Sequence, residues 1–392
     1  MIVLEYKLKG KASQFARIDE AIRTMQFVRN KAIRFWMETK GVNKYDLNGI
    51  SKPLAAEFDF AKKLNSMARQ AACERAWASI SRFFDACKKK LPGKKGYPRF
   101  QKDCRSVEYK SCGWKLTDGC RKLLMTDGHE IGSLKLVGNR PLNDFKDRIK
   151  RVRLLRRADG YYVQFCIDVD RQEAVPYTGS VIGIDVGLKS FLTDSNGEVV
   201  ENPRFLRKSE RRLKKMQRRV SKKLKGSANR KKARQRLGKV HLKVQRQRKD
   251  FATKLARALY QSHDLIAYEN LQVRNMVKNR CLAKSISDAA WSLFRDKLEY
   301  YARLFRKVAI PVKPHYTSQM CSGCGEVVKK TLSERTHICR CGTVLDRDHN
   351  AALNILKLGI AQLSTEGHSG INAWGEDDRY PLLATASGQV AS

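Results

Sequence analysis

Between residues 204 and 249 the chain carries 22 Lys and Arg and a single acid, Glu210. No core can absorb such a density of like charge, because each unpaired cation taken out of water costs several kcal/mol. The apolar residues inside this stretch are nevertheless ordered. Leu213, Met216, Val220 and Leu224 keep helical spacing, as do Leu237, Val240, Val244, Phe251, Leu255 and Leu259, and Gly226-Ser227 separates the two runs. The pattern predicts a helical hairpin over 204–262 with an apolar seam and basic outer faces. A charged face usually needs only water, but this concentration calls for a polyanion. Arg211, Arg212, Lys214, Lys215, Arg218 and Arg219 are the candidate contacts to a phosphate backbone.

The whole chain repeats the imbalance: 80 Lys and Arg against 39 Asp and Glu give a net charge of +41 over 392 residues. Solubility needs far less, and self-repulsion opposes compaction, so nucleic acid is the expected partner. No run of about 18 apolar residues exists, and the start "MIVLEYKLKGK" lacks the apolar centre of a signal peptide. These features argue against membrane and secretory readings. Of 11 cysteines, seven (Cys73, Cys87, Cys104, Cys112, Cys120, Cys166 and Cys281) show no pairing framework, as expected for reduced thiols in a cytosol.

Along the chain, "IVLEYKLK" at 2–9 alternates as a strand, and apolar spacing predicts helices over 13–39 and 64–88. The basic stretch "KKKLPGKKGYPRFQK" ends the second helix with prolines and glycines. Strand-like segments follow, closing with "KRVRLLRRADGYYVQFCIDV", in which Asp159-Gly160 signals a hairpin turn. One strand, then helices, then a cluster of strands predicts a β-barrel-like domain with a helical insertion. From 176 onwards "SVIGIDVGLKSFLTDSNGEVV" reads as strand, turn and strand, with a second hairpin turn at Asn196-Gly197. "HDLIAYENL" reads as a short buried strand, 286–308 as a helix and "VAIPVKP" as another strand. After 360 periodicity is lost, which predicts a loosely attached tail.

Cys321 and Cys324 form C-x-x-C, and Cys339 and Cys341 form C-x-C, each pair followed by glycine (Gly325, Gly342). Four thiolates at this spacing suit one structural Zn²⁺, with the glycines letting the backbone turn back over the metal. His337 is close enough in sequence to replace one of the sulfurs.

Four acids stand out. Asp185 interrupts the apolar strand "VIGIDVG", Glu269 ends "LIAYE", and Asp346 and Asp348 open the helix after the cysteines in "DRDHNAALNI". Each alone has a plain explanation as a helix cap or an ion pair. Together, acids on separate elements can supply the hard oxygen ligands for two Mg²⁺ about 4 Å apart, as two-metal phosphodiester cleavage requires.

The segments "GIDVGLKSF", "IAYENL", "KSISDAAWSLF", the four-cysteine cluster and "DRDHNAALNI" resemble the TnpB family, RNA-guided nucleases of bacterial insertion-sequence elements and relatives of type V CRISPR effectors. "VLEYKLKGK", "KKGYPRF" and "ADGYYVQF" extend the resemblance over nearly the whole chain. It implies an α+β multidomain fold. A β-barrel-like wedge (1–12 and 103–175) would contain a helical recognition bundle (13–102). An RNase H-like RuvC α/β domain (176–314 and 344–360) would contain the basic helical hairpin (204–262) and a zinc ribbon (315–343), followed by a flexible tail (361–392). Matched residue by residue, the catalytic acids that bind Mg²⁺ are Asp185, Glu269 and Asp348, because the family's acid immediately precedes x-N-A-A. Asp346 is left to cap the helix or to support the acids from outside the ligand set.

The resemblance implies an RNA-guided DNA endonuclease that binds one guide RNA per protein, reads a short flanking motif and cuts double-stranded target DNA in a prokaryotic cytosol. A guided repressor without cleavage is the principal alternative, but would be expected to lack an acid. An unguided RuvC-type nuclease or a transposase leaves the basic helices and the N-terminal half without a task.

Overall fold

The computed structural model describes residues 1–90, 93–331 and 334–366. The expected tail at 361–392 lies outside these residues from 367 onwards; before that point the last helix continues to Glu366. The chain divides into two compact units, Met1–Arg171 and Gln172–Ser392. No helix among the described residues is long and apolar enough to cross a membrane.

The first unit opens with β1 (Ile2–Lys9), followed by α1 (Ala12–Glu38), three short helices α2 to α4 (Lys44–Gly49, Ser51–Glu57, Asp59–Lys63) and α5 (Ser66–Lys88). The apolar stripe of α1, including Ile18, Ile22, Met25 and Val28, is buried, as are Ala68, Ala72, Ala76 and Ile80 of α5. Asn65 starts α5 by accepting the Met67 N–H at 2.9 Å. The short helices between 44 and 63 lack a full two-turn apolar repeat, so no periodicity announces them.

Strands β2 (Ser106–Tyr109), β3 (Trp114–Thr117), β4 (Lys122–Met125), β5 (Gly132–Val137), β6 (Ile149–Arg157) and β7 (Gly160–Ile167) complete an antiparallel sheet with β1. Its order is β2-β6-β7-β1-β5-β4-β3. The expected barrel is a curled half-barrel: β2 and β3 remain edges and do not pair with each other. The helical insertion after β1 is as expected, and Gly160, at φ +136°, makes the predicted turn between β6 and β7.

The second unit is built on β8 (Val181–Asp185), β9 (Ser190–Asp194), β10 (Val199–Glu201), β11 (Leu265–Glu269) and β12 (Val308–Val312), in the order β10-β9-β8-β11-β12. The first three are antiparallel neighbours; β11 runs parallel to both β8 and β12. Between β10 and β11 come α6 (Phe205–Ser221) and α7 (Ala228–Ser262), the predicted basic hairpin. Leu213 and Val220 of α6 and Val240 and Val244 of α7 are buried, whereas Ala252, Ala256 and Tyr260, further along α7, belong to the core of the sheet. The single helix expected over 286–308 is two, α9 (Ala283–Ala289) and α10 (Trp291–Phe305), after the short α8 (Val273–Met276). Ala290 breaks the line in a left-handed conformation, φ +57°. The cysteine segment carries the two-stranded β13 (Thr336–Ile338) and β14 (Val344–Asp346), and α11 (Arg347–Glu366) returns to the sheet.

The return of α11 depends on glycine. A Cβ on Gly183 of β8 would lie 2.3 Å from the Ala352 carbonyl oxygen and 2.7 Å from the Leu356 nitrogen. On the helix side, a Cβ on Gly359 would lie 2.5 Å from that of Ala267 on β11. Helix backbone therefore rests directly on strand backbone, and no flexible side chain can yield. Gly183→Ala should lower the unfolding free energy by about 3 kcal/mol in urea titrations. The control Gly49→Ala, where nothing lies within 4 Å, should be neutral or slightly stabilising.

Candidate active site and cysteine cluster

Asp185 and Glu269 are the last residues of β8 and β11, whose parallel register pairs Ile184 with Tyr268. The two acids therefore leave the sheet side by side at the same edge. Asp348 lies in the first turn of α11. Its Oδ2 is 3.9 Å from where a Cβ on Gly187, two residues beyond Asp185, would sit. All three acids are half-buried, so solvent reaches them.

The surrounding charges are poorly balanced. Burial, and then the charges of Glu269 and Asp348, push the Asp185 carboxyl well above the usual carboxylate range, with Arg347 opposing. Burial also raises Glu269, against a hydrogen bond from the Thr317 hydroxyl. Asp348 accepts from Arg347 Nε and Nη2 through Oδ1, both at 3.1 Å, and its Oδ2 is 3.7 Å from Arg335 Nη1. Asp346 behaves differently. Its Oδ1 accepts the N–H groups of Asp348 at 2.8 Å and His349 at 3.3 Å, which is a helix cap.

Three mutually repelling carboxylates, two of them shifted towards the protonated form, make a donor set that a hard divalent cation would relieve. In this structure they are neighbours without converging on one ion-sized point. Among the described residues, only the four cysteines bring their ligand atoms within 4.8 Å of one another. Sequence reasoning did not identify Thr317, Arg335 or Arg347. Arg347 stands inside the quoted motif, but nothing near Thr317 or Arg335 in the sequence signals an acid.

Cys321, Cys324, Cys339 and Cys341 converge as their spacing suggests, with Cys321 and Cys341 Sγ atoms 3.6 Å apart and Cys324 and Cys339 likewise. Four sulfurs about 2.3 Å from a tetrahedral Zn²⁺ would be about 3.8 Å from one another, so the cluster can hold that ion. Gly325 and Gly342, at φ +82° and +92°, make the turns after each pair. Burial would push the Cys321 thiol up, but the Cys324 N–H, the Thr343 hydroxyl and the His337 ring outweigh it and bring it down to about 5. A thiol so lowered is ready to ligate. His337 is buried beside the cluster, with its Nδ1 against Lys330 Nζ, and the four sulfurs converge without it.

The six basic residues picked out on α6 are all exposed. Lys214 pairs with Glu210 at 3.0 Å, and the other five have no acidic partner among the described residues. The hairpin thus presents free cations on a helix whose buried face is the Leu213–Val220 seam.

A five-stranded mixed sheet with an acid ending each of two neighbouring parallel strands, and a third opening the covering helix, is consistent with a RuvC-like architecture. A Streptomyces pristinaespiralis protein described as "Putative RNA-guided DNA endonuclease" is 32% identical over 369 residues, covering 91% of this chain and 89% of its own length. The chain belongs to the TnpB/Cas12f-like family of RuvC-type proteins of transposon elements. Residues 164–280 match the family model OrfB_IS605, "Probable transposase", and residues 291–355 match the "Cas12f1-like, TNB domain". An Escherichia coli K12 relative, "Putative RNA-guided DNA endonuclease InsQ", is 26% identical over 68% of this chain and 70% of its own. Among solved structures, the Cas12f1-sgRNA-target DNA complex aligns with a TM-score of 0.56 at 15% identity, over 88% of this chain and 82% of that one. The mini-RNA-guided endonuclease CRISPR-Cas_phi3 aligns with a TM-score of 0.56 at 9% identity, over 92% of each chain. At such identities the likeness is one of fold.

The raised Asp185 carboxyl favours the protonated folded state, so its ionisation destabilises the metal-free protein as pH rises above the unfolded carboxylate value. Asp185→Asn should therefore be the more stable form at neutral pH. Solvent access limits the gain to about 1 kcal/mol, or about 2–4 °C in a unit of this size, measured by thermal melts in chelator. The difference should shrink as pH falls through about 4 and disappear below about pH 3, where the aspartate is protonated in both states.

Elemental analysis should find about one Zn²⁺ per chain, lost in a Cys321→Ser, Cys324→Ser double variant and retained in His337→Ala. Zinc lost from His337→Ala but retained by Cys341→Ser would put the histidine among the ligands.

Proposed function

We propose that this protein is an RNA-guided DNA endonuclease of an insertion-sequence element, acting in the cytosol with one guide RNA per chain on double-stranded target DNA. The observation that carries the reading is the meeting of Asp185, Glu269 and Asp348 at one edge of the second unit's sheet, within a chain of this family. The relatives' descriptions supply the guide RNA and the DNA substrate. Asp185, Glu269 and Asp348 would hold two Mg²⁺, and Cys321, Cys324, Cys339 and Cys341 one structural Zn²⁺. When bound, the Mg²⁺ pair supplies activation of water and stabilisation of the leaving oxygen in phosphodiester hydrolysis.

The chain's own residues do the positioning. Asp185 and Glu269 are fixed by strand register, Asp348 by the capped start of α11 and its seat on Gly183. Arg335 and Arg347 neutralise Asp348 in the metal-free protein and would be released to phosphate once a cation takes its place. The exposed cations of α6 would bind the phosphate backbone without reading sequence, which base pairing with the guide provides.

Protein purified with its RNA should cut matched DNA in Mg²⁺. Asp185→Ala, Glu269→Ala and Asp348→Ala should each reduce cutting by at least about 10³-fold while target binding persists. Because the ligands act as a set, a double variant should be no worse than a single one. Asp346→Ala loses only a cap and should retain most cutting. Wild-type protein that binds guided target but never cuts would leave a repressor instead.

A further inference from the structure

Among the described residues, the side chain that hydrogen-bonds the Glu269 carboxylate is Thr317, whose hydroxyl donates to Oε1. The two residues are 48 positions apart, and Thr317 is 5% exposed. Thr317 belongs to the peptide that leaves the sheet after β12 and enters the cysteine cluster four residues later, at Cys321. That peptide has no regular hydrogen-bond ladder to the sheet, and side chains of α11 hold it instead. Asn354 Nδ2 donates to the carbonyls of Thr317 at 2.8 Å and Met320 at 2.7 Å. One turn earlier, Asn350 Nδ2 donates to the Met320 carbonyl at 2.8 Å, while its Oδ1 accepts the Ser322 N–H at 2.9 Å. Lys357 Nζ reaches the Ser322 carbonyl. Asn350 and Asn354 are 0% and 1% exposed. Two buried amides four residues apart form a latch on the same helix that carries Asp348 in its first turn.

We propose that Thr317 is a positioning residue for Glu269, held in place by Asn350 and Asn354, so that one side chain links the cysteine segment, α11 and the acid on β11. This rests on the reading of the acids as a divalent-metal site. A carboxylate at a strand end can rotate about its side-chain bonds. A hydroxyl donor on Oε1 restricts that rotation and leaves Oε2, with the remaining lone pair of Oε1, to face a cation. Threonine suits the task because its β-branch limits its own rotamers and its methyl group fills the buried site. A hydroxyl buried only to satisfy itself would affect stability alone. One that orients a ligand must also affect divalent affinity.

The test titrates Mn²⁺ into zinc-loaded, RNA-bound full-length protein and follows free Mn²⁺ by electron paramagnetic resonance, with Asp185→Ala defining the component due to the acids. Thr317→Val keeps the shape and removes the donor. It should weaken that component about tenfold to a hundredfold, raise the Mg²⁺ needed for half-maximal cutting in step, and keep its zinc. Thr317→Ser, which restores the hydroxyl, should bind close to wild type. Wild-type Mn²⁺ affinity in Thr317→Val overturns the proposal while leaving the nuclease reading intact. Identical titrations for wild type and Asp185→Ala would remove the metal site, and both readings with it. Should Thr317→Val lose cooperative unfolding, Asn354→Ser decides: it leaves Glu269 and the hydroxyl in place and loosens only the latch, so weakened Mn²⁺ binding supports the proposal and unchanged binding overturns it.

Discussion

The second unit depends on a contact between backbones. Where α11 crosses β8, the Gly183 position lies so close to the helix that even a methyl group would fall 2.3 Å from the Ala352 carbonyl oxygen. Helix and strand cannot meet this closely through side chains, which usually hold such layers about 10 Å apart. The close seat brings the first turn of α11 down to the sheet edge, within reach of Asp185 and Glu269. Gly359 repeats the device on β11. Two missing side chains thus place a third acid beside two that strand register already aligns.

The two ends of this sheet handle charge in opposite ways. At the start of the parallel strands, Asp264 and Lys307 are fully buried and paired at 2.9 Å. Asp264 Oδ2 also accepts the N–H groups of Thr178 at 2.8 Å and Gly179 at 2.6 Å, and Lys307 donates to the Tyr260 carbonyl at 2.7 Å. Hydrogen bonds of this kind around both charges make a buried ion pair tolerable, and the pair sits where β8, β11 and β12 begin. At the far end, Asp185, Glu269 and Asp348 crowd together with only partial compensation. Stability invested at one end supports strain at the other, a common division between scaffold and functional site.

The first unit and the hairpin follow simpler logic. A half-barrel with a helical insertion buries an ample apolar core, and its buried Glu108 is paired in place with Arg151 and Arg153. The hairpin buries its Leu213–Val220 seam and leaves most of its cations exposed, so part of the net charge of +41 lies on solvent-facing surface.

Much of this was legible locally. Alternation and Asn-Gly or Asp-Gly turns announced the strands and hairpins, and Gly160 and Gly197 take the positive φ those turns require. The spacing of Cys321, Cys324, Cys339 and Cys341 announced the cluster, and the helical period of the basic stretch announced α6 and α7. These signals are carried by residues a few positions apart, where chain geometry alone limits the outcome. Packing decided the rest. It left the sheet of the first unit open, broke the expected helix at Ala290, set Arg335 on Asp348 and brought Thr317 to Glu269 across 48 residues. Contacts of that kind depend on how whole elements stack, and the sequence around either partner carries no periodicity or spacing that could record them.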